Sequence, residues 1–175
     1  MPFRLGPLLG CACLVLAGCG GEDQPPAVDA ELRDGLAALY AGDHAVPAGG
    51  ETEGRCFADA LLDRASTNEL RGAGLVDSAG AVPDVIPELD PEFAAVFVDA
   101  QLACTDLVEA STEAQFVLSK GTLDRASYAA CLTDALDADE QRAALVAAVS
   151  GQWDDPALAA LSDAQSRCAR SSGAG

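Results

Sequence analysis

Cys131-Leu132-Thr133-Asp134-Ala135-Leu136 decides the fold, because its echo, Cys56-Phe57-Ala58-Asp59-Ala60-Leu61, stands earlier in the same chain. Both copies keep a leucine fourteen residues after the cysteine, Leu70 and Leu145. Both then close on a second shared run. Asp90-Pro91 leads to Asp99-Ala100-Gln101-Leu102-Ala103-Cys104 in the first, and Asp155-Pro156 leads to Asp163-Ala164-Gln165-Ser166-Arg167-Cys168 in the second. Self-similarity of this kind marks a tandem duplication of one two-cysteine unit. It speaks to architecture and compartment, and it leaves activity open.

Outward from the repeat, helical signals cover most of the chain. Leu32, Leu36, Leu39 and Tyr40 fall at helical spacing within 29–41, and Gly42 stops the run. Residues 44–50, rich in Gly and Ala with Pro47, read as a loop. A helix from about Glu51 or Glu53 to Ala65 carries Cys56, and Ser66 caps a short one reaching Arg71. Residues 72–90, with Pro83 and Pro87, form the longest irregular stretch. Asp90 as N-cap and Pro91 at the first helical position open the strongest helix, whose stripe runs Phe93, Val96/Phe97, Ala100, Cys104, Leu107/Val108. Shorter helices are expected over 113–119, from Thr122 or Asp124 through Tyr128 and Cys131 to about Leu136, and from Asp137 or Asp139 to Gly151. Asp155-Pro156 opens the last, which ends near Cys168. The best strand candidate, 82–86, is broken by Pro83. The expected fold is all-α: two tandem disulfide-closed antiparallel helical units, 29–110 and 111–175, sharing a core.

Within each unit one cysteine lies in an early helix and the other late in the last. Antiparallel packing of those two helices brings them together, so Cys56–Cys104 and Cys131–Cys168 is the expected pairing, and duplication supports it because an ancestral unit satisfied its own thiols. On the chain-entropy model such loops contribute roughly 4 kcal/mol each. The rival reading, a zinc site, lacks any CxxC or CxxH pair. Asp59 stands three residues after Cys56 and Gln101 three before Cys104; Asp134 and Gln165 repeat this around Cys131 and Cys168. Three residues is near one turn, so Asp59–Gln101 and Asp134–Gln165 hydrogen bonds are expected beside the bridges, on the core side. The alternative is that Asp59 and Asp134 are paired catalytic or metal carboxylates.

Half of the residues are hydrophobic but only 5% are aromatic. Much of the apolar content is alanine, which buries little area, so the core is thin and covalent staples help it. A net charge of −18 disfavours nucleic acid and anionic lipid, since binding either needs Lys or Arg. Its bland meaning is solvation at a cell surface, beside which stand a cation store and a basic protein partner.

The N-terminus has a basic Arg4, an apolar run over 5–16 too short and too Gly/Pro-interrupted for a membrane span, and then small residues. It ends in Leu16-Ala17-Gly18-Cys19, which resembles the lipobox of bacterial lipoproteins. That resemblance implies cleavage after residue 18, acylation of Cys19 and a tether over 19–28, in place of an ordinary signal peptide or an uncleaved anchor. Of seven cysteines, Cys11 and Cys13 then leave with the leader and Cys19 carries lipid. Four remain for two disulfides outside the cytoplasm.

No GxSxG elbow, P-loop, GxGxxG or HExxH occurs. His44, the only histidine, reads as an exposed loop residue and not as a base or metal ligand. Asp137-Ala138-Asp139-Glu140 resembles the opening of a calcium loop without its glycine and terminal glutamate, so a helix cap is expected. Trp153 is expected to cover the core before the last helix, with a surface anchor as the alternative. Lipobox, Ala/Gly/Asp/Arg-rich composition with one lysine and the Cys-x-x-Asp-Ala-Leu repeat together resemble small secreted lipoproteins of high-GC Gram-positive bacteria. The resemblance implies no activity and lends no functional residues. The expectation is a non-enzymatic binding or structural module at the outer membrane face, anchored through Cys19, with no cofactor, catalytic residue or metal site. Its expected partner is a protein or wall component; its oligomeric state is open. A cation or small-molecule binder, and a carboxylate-based wall hydrolase, are the alternatives.

Overall fold

The computed structural model describes residues 26–43 and 50–173. The expected leader 1–18, the lipidation residue Cys19 and the loop residue His44 lie outside them. Eight helices follow in order: α1 Pro26–Asp43, α2 Gly50–Leu62, α3 Thr67–Gly72, α4 Pro91–Leu102, α5 Leu107–Leu118, α6 Arg125–Ala135, α7 Ala138–Val149 and α8 Pro156–Ser171. Among the described residues there is no strand, and the fold is all-α.

Local chemistry sets the boundaries. Each helix from α3 to α8 starts on a Ser or Asp side chain that accepts a backbone N–H of the first turn: Ser66, Asp90, Asp106, Asp124, Asp137 and Asp155. Each cap is worth about 1 kcal/mol, and the aspartates also meet the positive end of the helix dipole. Five of the 28 acidic residues are therefore structural caps. Asp137 and Glu140 form a capping box, so the calcium-loop look-alike is a helix start.

Several boundaries differ from the sequence reading, among them the end of α8, which runs to Ser171, and the start of α2, at Gly50. α1 begins at Pro26, inside the stretch expected as tether, because proline at a first helical position loses no hydrogen bond. The stripe expected to run from Phe93 to Val108 is two helices. α4 ends at Leu102; Asp106 then accepts the Glu109 N–H at 2.9 Å and starts α5, which extends back to Leu107. As a result α5 runs across the expected unit boundary at 110/111, and it packs on α6.

Each unit of the repeat spans four helices, as the sequence reading expected. α1 packs on α2 as α5 does on α6, and α2 packs on α4 as α6 does on α8. A disulfide closes each unit. Cys56 on α2 bonds Cys104 just past α4 with Cα atoms 5.8 Å apart, and Cys131 on α6 bonds Cys168 on α8 with Cα atoms 5.6 Å apart.

The first unit's core gathers Leu32, Leu36, Leu61, Leu70 and Leu75 around Tyr40, Phe57 and Phe97. Tyr40 stacks on Phe57 at 4.5 Å between centroids, and Phe97 meets Phe57 edge-on at 4.9 Å. The second core is smaller, built on Tyr128, Leu132, Leu136, Leu161 and Cys168. α4 and α7 join the units: Val146 and Val149 of α7 pack against the first core. The Arg142 guanidinium forks onto Asp99 at 2.6 and 3.0 Å, and the Leu89 N–H donates to the Val149 carbonyl at 3.0 Å. Leu75, Val76 and Leu89 pin the irregular stretch to the core.

Candidate functional site

The expected Asp–Gln pairs do not form: among the described residues no hydrogen bond joins Asp59 to Gln101 or Asp134 to Gln165. On α2 the buried face is Phe57, Ala58 and Leu61, while Cys56 is exposed. The bridge therefore sits at the rim of the helix pair, and a residue one turn away shares the solvent side. Asp59 accordingly pairs with Arg33 of α1 in solvent, and Asp134 is exposed. The two aspartates stand on α2 and α6, one in each unit.

The two glutamines part company. Gln165 Nε2 donates to Ser111 Oγ at 3.1 Å, and that hydroxyl also bonds the Tyr128 hydroxyl at 2.9 Å. Burial pushes the Tyr128 pKa up, against the Ser111 bond that lowers it. This is a closed structural network. Gln101 has the same register in the first unit and is 8% exposed, yet its carboxamide makes no hydrogen bond among the described residues.

Gln101 lines a groove of about 400 Å³ where the units meet. Phe97 and Gln101 of α4 form one wall and Leu145, Ala148 and Val149 of α7 another; Ile86, Pro87 and Glu88 come from the irregular stretch, and Gly151 and Trp153 from the turn after α7. Trp153 does not cover the core as the sequence suggested. It is 72% exposed, because Gly151, at φ +68°, turns the chain outward between α7 and α8. A Cβ on Gly151 would fall 2.6 Å from the Glu88 carboxyl carbon, so that side chain is seated against bare backbone.

A second, larger groove of about 930 Å³ runs along α5, α6 and the start of α7. Its acids are mostly committed to structure. Asp106 and Asp137 are N-caps, and Glu113 pairs with Arg125 at 2.9 Å while that guanidinium lies 3.7 Å over the Phe116 ring. Among the described residues no group of three or more His, Cys, Asp or Glu side chains converges as a metal site would need. The carboxyl groups of Glu69, Asp99 and Asp124 are held below the usual range by the Ser66 hydroxyl, the Arg142 guanidinium and the Ser127 N–H respectively. A general acid for glycan hydrolysis needs the opposite shift. The Ser172 hydroxyl is buried without a partner among the described residues, but it lines neither groove.

The sequence pointed to Gln101 for its register and to Trp153 for its rarity, but not to their meeting. Nothing in it marked Ile86, Pro87 or Glu88 as site residues, since they have no regular element to give them a face. No family model matches the chain, and neither a curated protein nor a solved structure does.

Proposed function

We propose that this protein is a non-enzymatic binding module, held at the outer face of the cell membrane by lipid on Cys19, that receives a partner in the groove between its two units. The observation that carries the binding half is Trp153, a large ring left in solvent at the rim of a partly apolar groove. A tryptophan face in water forgoes a burial worth several kcal/mol on area alone, which a partner restores on docking. Two features support the location. The lipobox-like Leu16-Ala17-Gly18-Cys19 provides the anchor, and two disulfides in a chain of this size suit an oxidising compartment.

Two experiments test the halves separately. Mass spectrometry of the membrane fraction should find a mature N-terminus at acylated Cys19; an unmodified Cys19, or Met1 retained, refutes the anchor. A photo-crosslinking amino acid placed at Trp153 in intact cells should give one dominant adduct that the same group at Ser162, exposed on α8, does not. Equal labelling from both positions, or none from either, refutes the binding site.

A further inference from the structure

Resting on that reading of the junction groove, we propose that its ligand is a short extended peptide: an apolar side chain enters beside Trp153, one peptide unit pairs with the Gln101 carboxamide, and a neighbouring basic residue meets Glu88. Gln101 is the reason for naming a peptide. Gln101 is more than nine-tenths buried and its side chain has no partner among the described residues, yet its amide is not sealed from solvent, so its hydrogen-bonding capacity is held open to the groove. The duplication supplies an internal control, because Gln165 at the matching position spends its amide on Ser111. Around Gln101 the helical walls are Phe97, Leu145, Ala148 and Val149, none with a polar side chain to offer. The amide's remaining outlet is the groove.

A carboxamide sets one donor group beside one acceptor, which complements the C=O and N–H of a peptide backbone. A sugar ring, with a hydroxyl on most carbons, needs several polar side chains. This groove provides two, Gln101 and Glu88, and its other side chains are hydrocarbon apart from the indole. The volume of about 400 Å³ lies toward the small end of ligand clefts and suits one side chain with its peptide unit. Charge selects the flanking residue. Glu88 makes no ion pair among the described residues, Asp154 follows Trp153 in the exposed turn, and the whole chain carries −18. A cationic neighbour is drawn in and an acidic one repelled.

The test uses the mature chain with both disulfides formed and reads emission from Trp153, the only tryptophan, beside calorimetry. The probes are acetyl-Ala-Lys-Leu-Lys-Ala-amide, the same peptide with Ser for Leu, the same with Glu for both Lys, and chitotetraose. The Leu peptide should shift Trp153 emission saturably, and the Ser and Glu peptides should bind at least about tenfold more weakly. Gln101→Leu should weaken the Leu peptide by at least about tenfold without lowering the melting temperature, since it breaks no hydrogen bond within the protein. Glu88→Gln should narrow the difference between the Lys and Glu peptides. Equal peptide binding by wild type and Gln101→Leu overturns the proposal, as does a Gln101→Leu variant that melts lower. A response to chitotetraose and not to peptide overturns the peptide class while leaving the groove a binding site. Silence towards every probe also overturns it, and crosslinking at position 153 then decides the broader reading independently.

Discussion

Replacing Gly54 with alanine should destabilise the protein, against the usual benefit of alanine in a helix. Gly54 is buried in α2 where that helix crosses α1, and a Cβ built on it falls 2.6 Å from the Ala37 carbonyl oxygen, 3.3 Å from its carbon and 3.4 Å from its Cα. Ordinary contact begins near 3.4 Å, so the helices must separate by most of an ångström. The obstacle is backbone and has no rotamer to escape into. Alanine for glycine inside a helix gains about 1 kcal/mol, whereas overpacking a tight contact costs about 1–3 kcal/mol, and a rigid carbonyl places this site in the upper half of that range. The net loss is about 1–2 kcal/mol, or about 2–8 °C in Tm for a chain of this size. Gly72→Ala is the matched control, because a Cβ there meets nothing within 4 Å. It should be neutral or stabilise by up to about 1 kcal/mol. Thermal melts of both oxidised variants, followed by helical circular dichroism, make the comparison. If Gly54→Ala melts at or above the wild type, the α1–α2 contact is not the close approach described, and the reasoning fails.

Limited reduction under native conditions should open Cys56–Cys104 before Cys131–Cys168, since Cys56 is exposed and Cys168 fully buried; mass spectrometry after alkylation would show the reverse order if burial does not govern access. Removing either bridge by paired alanine substitution should cost about 4 kcal/mol in denaturant titrations on the loop-entropy model, and a loss below about 1 kcal/mol would show that residual structure already closes the loop. The Asp99–Arg142 fork depresses the Asp99 pKa, so its contribution is present above the unfolded carboxyl value of about 4 and disappears as pH falls through the lower folded value. Asp99→Asn should therefore be less stable than wild type at neutral pH, by under about 1 kcal/mol after solvent screening, with the gap closing in acid; a gap constant from pH 7 to 2 refutes the linkage. Tyr128→Phe should cost about 1 kcal/mol by chemical denaturation, because the Ser111 hydroxyl keeps its bond from Gln165; a much larger loss would mean the network does not survive its first deletion.

What the sequence determined by itself is what acts within a turn or is written twice. Ser66, Asp90, Asp124, Asp137 and Asp155 were legible as caps, and Pro91 and Pro156 as first helical residues, because a cap needs only the next three N–H groups. The disulfide pairing was legible because duplication removes the ambiguity that spacing leaves. Asp106 was equally legible, with Glu109 three residues on, and the apolar stripe running through it hid it. Tertiary structure decided which side of each helix is inside. A period of 3.6 defines a stripe but not its partner, so Asp59 was assigned to the core when α1 offers it Arg33 in solvent. It also decided the groove. Gln101, Glu88 and Trp153 meet only because α7 packs on α4, a contact between residues some forty positions apart that no local signal encodes. Equal glutamines in equal registers then take different roles, since one faces a serine and the other a wall of hydrocarbon.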